Sequence, residues 1–375
     1  MKVYTLIKSH LLVTLVLVMA SCSDPGFVYS EFASLDSLEI EMPKDYLQFT
    51  SWSNYVDQDR NILVEYGLNS KSDLVIHQID FISGKYRDPI IIEREGPEGH
   101  NSTDVSVFFK SNDSIYLFPA ARQHFYLFGG DGRKIDRYPY NSSDYSRYYR
   151  AGYYSNAILN EGELIIPVVN DIRYDDPLYF SKTVPIKYYD FEQSRFDRQI
   201  SYPNYVFGNL VPSSYTGPTV SKYDRSSFLI NYRFSDSLYI WNFESEEMTS
   251  LYCGSEYFGS PKLLQSYPDQ AKELEYKILE VDFEQSFRND DKLYRIVAHL
   301  SDQKFREVPV FEIIDRGYRV MSLIELDLNT QELSYYKLPI AKYFVFDGSF
   351  LYAGGVSIRE EGDLTFRRFY RYSLN

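Results

Sequence analysis

LIELDLNTQELSYYKLP, residues 323–339, alternates apolar and polar side chains, breaks at the polar turn NTQE, alternates again and stops at Pro339. Alternation of period two sends successive side chains to opposite faces of an extended chain, so a polar tetrapeptide between two such runs marks a hairpin. Variants of this stretch recur along the sequence as units of four short runs separated by turn residues. The first unit covers residues 47–92 and contains NILVEYG, LVIHQIDF, the turn ISGK and YRDPIII. The second covers 105–140, with SIYLFPA and HFYLFG before the turn GDGRK. The third runs over 155–203 and the fourth over 218–253, with SFLINYRF, SLYIWNF and the turn ESEE. The fifth spans 276–339; its opening strand is read as YKILEVDF. The sixth starts at Lys342 and ends with the chain one strand short.

The missing strand has a counterpart at the other terminus. Residues 36–43, DSLEIEMP, alternate and end in proline as 202–203 and 338–339 do. Pairing that segment with the last unit closes a ring and removes the open edges a sheet must otherwise protect. The expected fold is therefore all-β: a six-bladed β-propeller closed by the N-terminal strand. Two packed β-sandwiches are the alternative, but they give no reason for the absent strand to appear at the opposite end.

Composition agrees with strands. Aromatic residues make up 17% of the chain, with 37 tyrosines and 26 phenylalanines, and large flat side chains suit half-buried pleated faces. The formal charge of −14 becomes −16 without the two lysines of the leader, Lys2 and Lys8, which argues against a nucleic-acid partner. The leader carries those lysines, the apolar run LLVTLVLVMA and then Ser21-Cys22, the pattern of an export signal. Three parts are expected: a signal peptide over 1–21, a tether over 22–34, and the propeller over 35–375. Cys253, the other cysteine, reads as a small buried apolar residue.

Met19-Ala20-Ser21-Cys22 resembles a bacterial lipobox, which implies an acylated Cys22 and a lipid-anchored protein of the cell envelope. Together with the four-strand grammar and the loop Glu95-Gly96-Pro97-Glu98-Gly99, the chain is similar to TolB-like six-bladed propeller lipoproteins of Bacteroidota. It looks most like their domain-of-unknown-function branch (4221-type). That resemblance extends over the whole mature chain. It implies fold and compartment, and brings no catalytic residues with it.

Strands that run alternately up and down a blade divide the connections between two rims. Turns between first and second, and third and fourth strands are tight. Links between second and third strands, and between blades, hold the long insertions at 93–104, 141–154, 170–183, 204–217, 254–275 and 301–317. Long loops on a rigid scaffold commonly carry binding function. The insertion SSDYSRYYRAGYYS supplies Tyr148, Tyr149, Arg150 and Tyr154, whose flat amphipathic rings and forked donor suit a sugar, peptide or carboxylated ligand. Tyr174 extends the aromatic theme on the next long loop. Arg122, Arg233 and Arg359 follow second strands and could converge on the channel mouth as an anion site; salt bridges within an acidic protein are the competing reading. Residues 283–291 are expected to extend the opposite rim. Asp269 is a helix cap, with Ala271, Leu274 and Ile278 at helical spacing.

Signatures of catalysis are sparse. The histidines at 77, 100, 124 and 299 form no HExxH or HxH pair, and there is no GxSxG elbow. Gly129-Gly130-Asp131-Gly132 sits between a third and a fourth strand, where a hairpin turn explains it better than a phosphate loop. No cofactor and no metal site are expected. The leading expectation is a binding module for a peptide, protein or glycan on the long-loop face. The alternative is a carbohydrate-active envelope hydrolase or lyase with acids at the channel mouth.

Overall fold

A computed structural model describes residues 29, 30, 32, 34–43, 51–57, 62–119, 122–140, 146–149, 157–170 and 172–374. Their strands form six antiparallel sheets, five of which follow the chain from first strand to fourth, while the sixth takes its fourth strand from the N-terminal segment. Blade 4 shows the plain case: Pro218–Lys222, Ser227–Tyr232, Ser237–Asn242 and Met248–Tyr252 pair in order. Every residue of Ser227–Tyr232 is buried, because the second strand of a blade is covered on both faces by the neighbouring blades. The fourth strand, Met248–Tyr252, is half-buried or exposed. Continuous apolar runs mark second strands for this reason, and alternation survives best at the blade edge.

Six buried clusters account for six seams. Val64, Ile76 and Ile92 of blade 1 pack on Val107, Leu117 and Phe128 of blade 2. Equivalent clusters join blades 2 and 3, 3 and 4, 4 and 5, and 5 and 6. The sixth places Ile40, Tyr343, Val345 and Phe369 of blade 6 against Leu63, Ile79 and Phe81 of blade 1. The ring is closed.

Closure comes from the N-terminal strand, as expected. Ser34–Glu41 is the fourth strand of blade 6, antiparallel to Leu364–Ser373, with Leu38 opposite Phe369 and Ile40 opposite Arg367. Docking begins ahead of the expected start at Leu35. Ser30 donates its N–H to the Tyr335 carbonyl at 2.8 Å, and the Phe32 ring stacks 4.8 Å from that of Tyr372. At the same seam a charge pair is sealed in. Glu65 of blade 1 and Arg367 of blade 6 are almost fully buried and 2.7 Å apart, and the Tyr343 hydroxyl donates to Glu65 at 2.6 Å. The second strand of blade 6, Phe350–Glu361, bends here at Gly355, whose positive φ of 84° and lack of a side chain accommodate the Tyr343 ring.

Three expectations are corrected. The first strand of blade 5 is Asp282–Asn289, not YKILEVDF. The helix Gln270–Leu279 takes the first half of that segment because the Asp269 carboxylate accepts the Lys272 N–H at 2.9 Å. Residues 283–291 are therefore that innermost strand and its turn, not an extension of a rim. Within the helix the buried side chain is Tyr276, whereas Ala271 and Leu274 face solvent. Blade 3 starts before residue 155: Ser146–Tyr149 and Ile158–Asn160 both pair with Glu163–Asn170, so the innermost position of that blade is split in two.

A buried ion pair that loses one partner leaves an uncompensated charge in a low-dielectric setting, a loss of about 3–5 kcal/mol. Arg367→Met is expected to lower the unfolding free energy of the whole wheel by that order, with a lower urea midpoint, and adding Glu65→Gln to recover part of it. A denaturation series on the four proteins checks both statements.

Candidate functional site

The long insertions gather on one rim, and every helical turn among the described residues lies in or starts from them. These are Tyr179–Lys182, Asn204–Val206, Ser213–Thr216, Gln270–Leu279, Gln303–Glu307 and Val310–Asp315. On blades 4 and 5 they are tied into one body. Arg306 pairs with the buried Glu280 at 2.8 Å. Arg319 donates to the carbonyls of Ile278 at 2.6 Å and Glu280 at 3.0 Å, at the negative end of the helix Gln270–Leu279. Gln303 donates to the Phe258 carbonyl at 2.9 Å, and the rings of Phe305 and Tyr318 stack at 3.8 Å.

This body leaves large apolar side chains in water. Phe311 is 69% exposed, and Tyr257, Ile314 and Leu274 are each more than half exposed; Tyr205, Leu178 and Phe207 follow. Isolated exposed apolar residues are ordinary, but several on one face mark an interaction surface. Phe311 and Ile314 lie three apart in VFEIID, inside the insertion 301–317 that the sequence marked only as a long loop. Their exposure could not be read there, because a short helix with one apolar stripe normally buries it.

The residues singled out from sequence are distributed as follows. Tyr148 and Tyr149 lie on the innermost strand of blade 3, opposite Val169 and Val168, not in an interblade loop. Arg150 and Tyr154 lie outside the described residues. Tyr174 is half-buried, its ring 5.2 Å from that of Tyr179 and packed on the core between blades 3 and 4. Its neighbour Asp175 is bound by Arg173, whose hydrogen bond holds the Asp175 carboxyl below its usual range.

The three arginines do not form a common anion site. Arg122, on blade 2, donates to the Asn101 carbonyl at 3.2 Å. Arg359, on blade 6, bonds Glu39 and Glu361, each at 2.8 Å. Arg233, on blade 4, is clamped by both oxygens of Asp282, with Nε–Oδ1 at 2.7 Å, and donates to the Ser214 carbonyl at 3.1 Å. Burial opposes the Arg233 charge, and the Asp282 carboxylate outweighs it and raises the guanidinium pKa. Asp282 is 49 residues from its partner, which is why the pair could not be read from sequence.

Sequence reading also missed Arg295, which no solvent reaches. It donates to Asn231 Oδ1 at 2.8 Å and to the carbonyls of Cys253 and Ser235 at 3.0 and 2.7 Å, so blade 5 grips blade 4 through neutral acceptors. Cys253 lies in the same seam, fully buried as expected, and burial pushes its thiol up to about 11.

No protein-family model matches the chain, and no curated protein matches it. Among solved structures it is similar to a member of the duf4221 family from Bacteroides vulgatus. That likeness has a TM-score of 0.62 at 15% identity and covers 92% of this chain and 98% of that one. It is also similar to an exported-protein candidate from Bacteroides fragilis, with a TM-score of 0.55 at 14% identity, covering 93% and 99%. At these identities the likeness establishes the fold, a six-bladed propeller along nearly the whole chain.

His299 sits at the base of the rim. Its ring stacks on Phe258 at 3.7 Å, Nδ1 donates to the Leu300 carbonyl at 2.7 Å, and Nε2 lies 2.8 Å from Ser322 Oγ. Burial pushes its pKa down to about 4 from 6.5. Between those values the unfolded chain binds a proton that the folded one does not, so stability falls as pH drops from 6.5 and levels off below 4. The contribution at stake is on the order of 3 kcal/mol. His299→Gln should show a shallower fall in urea midpoint over pH 6.5–4 than the parent protein does.

Proposed function

We propose that this protein is a binding module whose long-insertion rim captures a protein or peptide partner, and that it is held at the cell envelope by a lipid on Cys22. The observation that carries the reading is the cross-linked rim of blades 4 and 5, which presents Tyr257, Leu274, Phe311 and Ile314 to solvent. Aromatic and aliphatic side chains on a preorganised support are the composition of an interface core. A surface already rigid loses little conformational freedom on binding. A glycan would find few unengaged polar groups there, since Arg233, Arg306 and Arg319 are bound to the rim itself.

The leader supports the anchored reading, and so does the position of Tyr29. Its hydroxyl lies 3.3 Å from Ser322 Oγ, next to the outermost strand of blade 5, to which Ser30 bonds. Six residues lie between Cys22 and Tyr29, and the seven residue steps reach at most ~25 Å. A lipid at Cys22 would hold the wheel by its circumference at blade 5 and leave both mouths accessible.

Two experiments test this. Phe311→Ser combined with Tyr257→Ser should leave the melting temperature within a few degrees of the parent, and should abolish capture of the partner from envelope extract by the mature protein. Retained capture by the double variant would remove the rim from consideration. Separately, Cys22→Ala expressed in a bacterial host should move the protein from the membrane fraction to the soluble fraction, with loss of labelled fatty acid.

A further inference from the structure

Away from the rim, the outer edges of blades 1 and 2 enclose a cleft of about 880 Å³, formed by the short turns and not by the long insertions. It opens because the fourth strand of blade 1 is interrupted. Lys85–Tyr86 pairs with Leu74–Asp80 and the Arg87 N–H still donates to the Gln78 carbonyl at 2.9 Å, then Asp88 and Pro89 leave the ladder, and pairing resumes at Ile90–Ile92. Pro89 has no N–H to offer that ladder. The opposite wall is the turn Gly129–Arg133 of blade 2, the glycine-rich segment that the sequence assigned to a hairpin. Gly132, at φ 77°, lies so close to the Ile91 carbonyl that a side chain would not fit. A methyl group on Gly130 would come within 2.7 Å of the Asn112 carbonyl. The glycines let blade 2 fold in against blade 1 and give the cleft a fixed wall. Lys134 adds to this by donating to the carbonyls of Pro97 and Gly99, both at 3.0 Å.

At the back of the cleft is Gln78, 2% exposed, whose Oε1 is buried with no hydrogen-bond partner among the described residues. An unsatisfied buried amide oxygen costs about 1–3 kcal/mol, so a donor arriving from the cleft is rewarded. Around it stand Asp88, Asp113 and Asp131, and against them Arg87 and Arg133. Arg87 is already paired with Asp80 at 2.7 Å, and Arg133 with Asp131 at 3.7 Å.

This lining selects by elimination. An anion meets three carboxylates. A cation meets two guanidiniums, and among the described residues no three carboxylates are grouped to hold a metal ion. An apolar ligand would strip water from the acids without replacing it, and would leave Gln78 Oε1 unsatisfied. A hydroxyl, donor and acceptor at once, can bond to carboxylate, guanidinium and amide alike, while Pro89 and Ile135 offer apolar patches for the C–H faces of a sugar ring. The volume lies in the usual range of small-molecule pockets, about 300–1,000 Å³.

We propose that the cleft between blades 1 and 2 is a binding site for an uncharged oligosaccharide, with Gln78 Oε1 accepting a hydrogen bond from a sugar hydroxyl. This goes beyond the rim reading and does not depend on it. The test is calorimetric titration of the mature chain with neutral trisaccharides (maltotriose, cellotriose, xylotriose and laminaritriose), with trigalacturonate and the fully deacetylated glucosamine trimer as charged probes. At least one neutral trisaccharide should bind saturably, and the charged probes at least tenfold more weakly. Gln78→Met should weaken binding at least tenfold. Arg133→Ala, at a side chain 81% exposed and so no threat to folding, should weaken it severalfold. The Phe311→Ser and Tyr257→Ser rim variant should bind sugar like the parent. No saturable binding by any neutral trisaccharide overturns the proposal. So does equal binding of a charged probe, or undiminished binding by both Gln78→Met and Arg133→Ala. Sugar binding lost in the rim variant and kept in Arg133→Ala would also overturn it, by moving the sugar to the rim.

Discussion

The whole architecture depends on one strand pairing. Ser34–Glu41 supplies the last blade with its outer strand, so a segment near the N-terminus is bonded to the last strand of the chain. Without this pairing, Leu364–Ser373 would present an open edge, and the cluster that joins blades 6 and 1 would lose Ile40. Three side-chain pairs reinforce the ladder from the surface: Asp36 with Arg371, and Glu39 with Arg368 and Arg359. Exposed pairs of this kind contribute at most about 1 kcal/mol each. They act more as a register device, since a one-residue slip would set each acid against the wrong face.

Two of the seams that carry buried charge do so in different ways. Between blades 6 and 1 Glu65 meets Arg367, charge against charge, with the Tyr343 hydroxyl as a further donor to the carboxylate. Between blades 4 and 5 Arg295 has no carboxylate partner. It is held by an amide and by backbone carbonyls, with the Phe283 ring 3.7 Å from its guanidinium carbon, and burial lowers its pKa to about 10. Desolvating a guanidinium costs several kcal/mol, and neutral acceptors return less than a carboxylate would. Arg295 is therefore expected to contribute less to net stability than to fixing the angle at which blade 5 meets blade 4. That angle matters most there, because the cross-linked helices of the rim span the same two blades.

The wheel was legible because its signal is repeated and local. Alternation and polar turns recur in every blade, a terminal proline closes several, and the orphan strand at 36–43 had one place to go. Errors fell where two periods coexist in one segment. In QAKELEYKILEVDF the apolar residues fit strand and helix alike over the shared YKIL, and the cap at Asp269 decided for helix. Site reading failed for a different reason. Arg233 and Asp282 are 49 residues apart, and Glu65 and Arg367 are 302 apart; no pattern in a single sequence records such partners. Exposure was equally hidden. Phe311 and Ile314 have the spacing of a buried stripe, and only the packing of their helix shows that they face water.

A closed ring also bears on how two sites could share one chain. All six seams are filled by side chains that sit fully buried, so a ligand at one seam cannot pry its blade away without opening a neighbouring cluster. Coupling between distant sites requires an element with two alternative packings that both ligands can bias. Among the described residues the segments least constrained by such packing are turns and insertions, each confined to its own blade or to the link with the next. The rim of blades 4 and 5 and the cleft of blades 1 and 2 are separated by intact sheets on either path around the ring. Independent occupation, in which each site binds with the same affinity whether or not the other is filled, is what this construction favours.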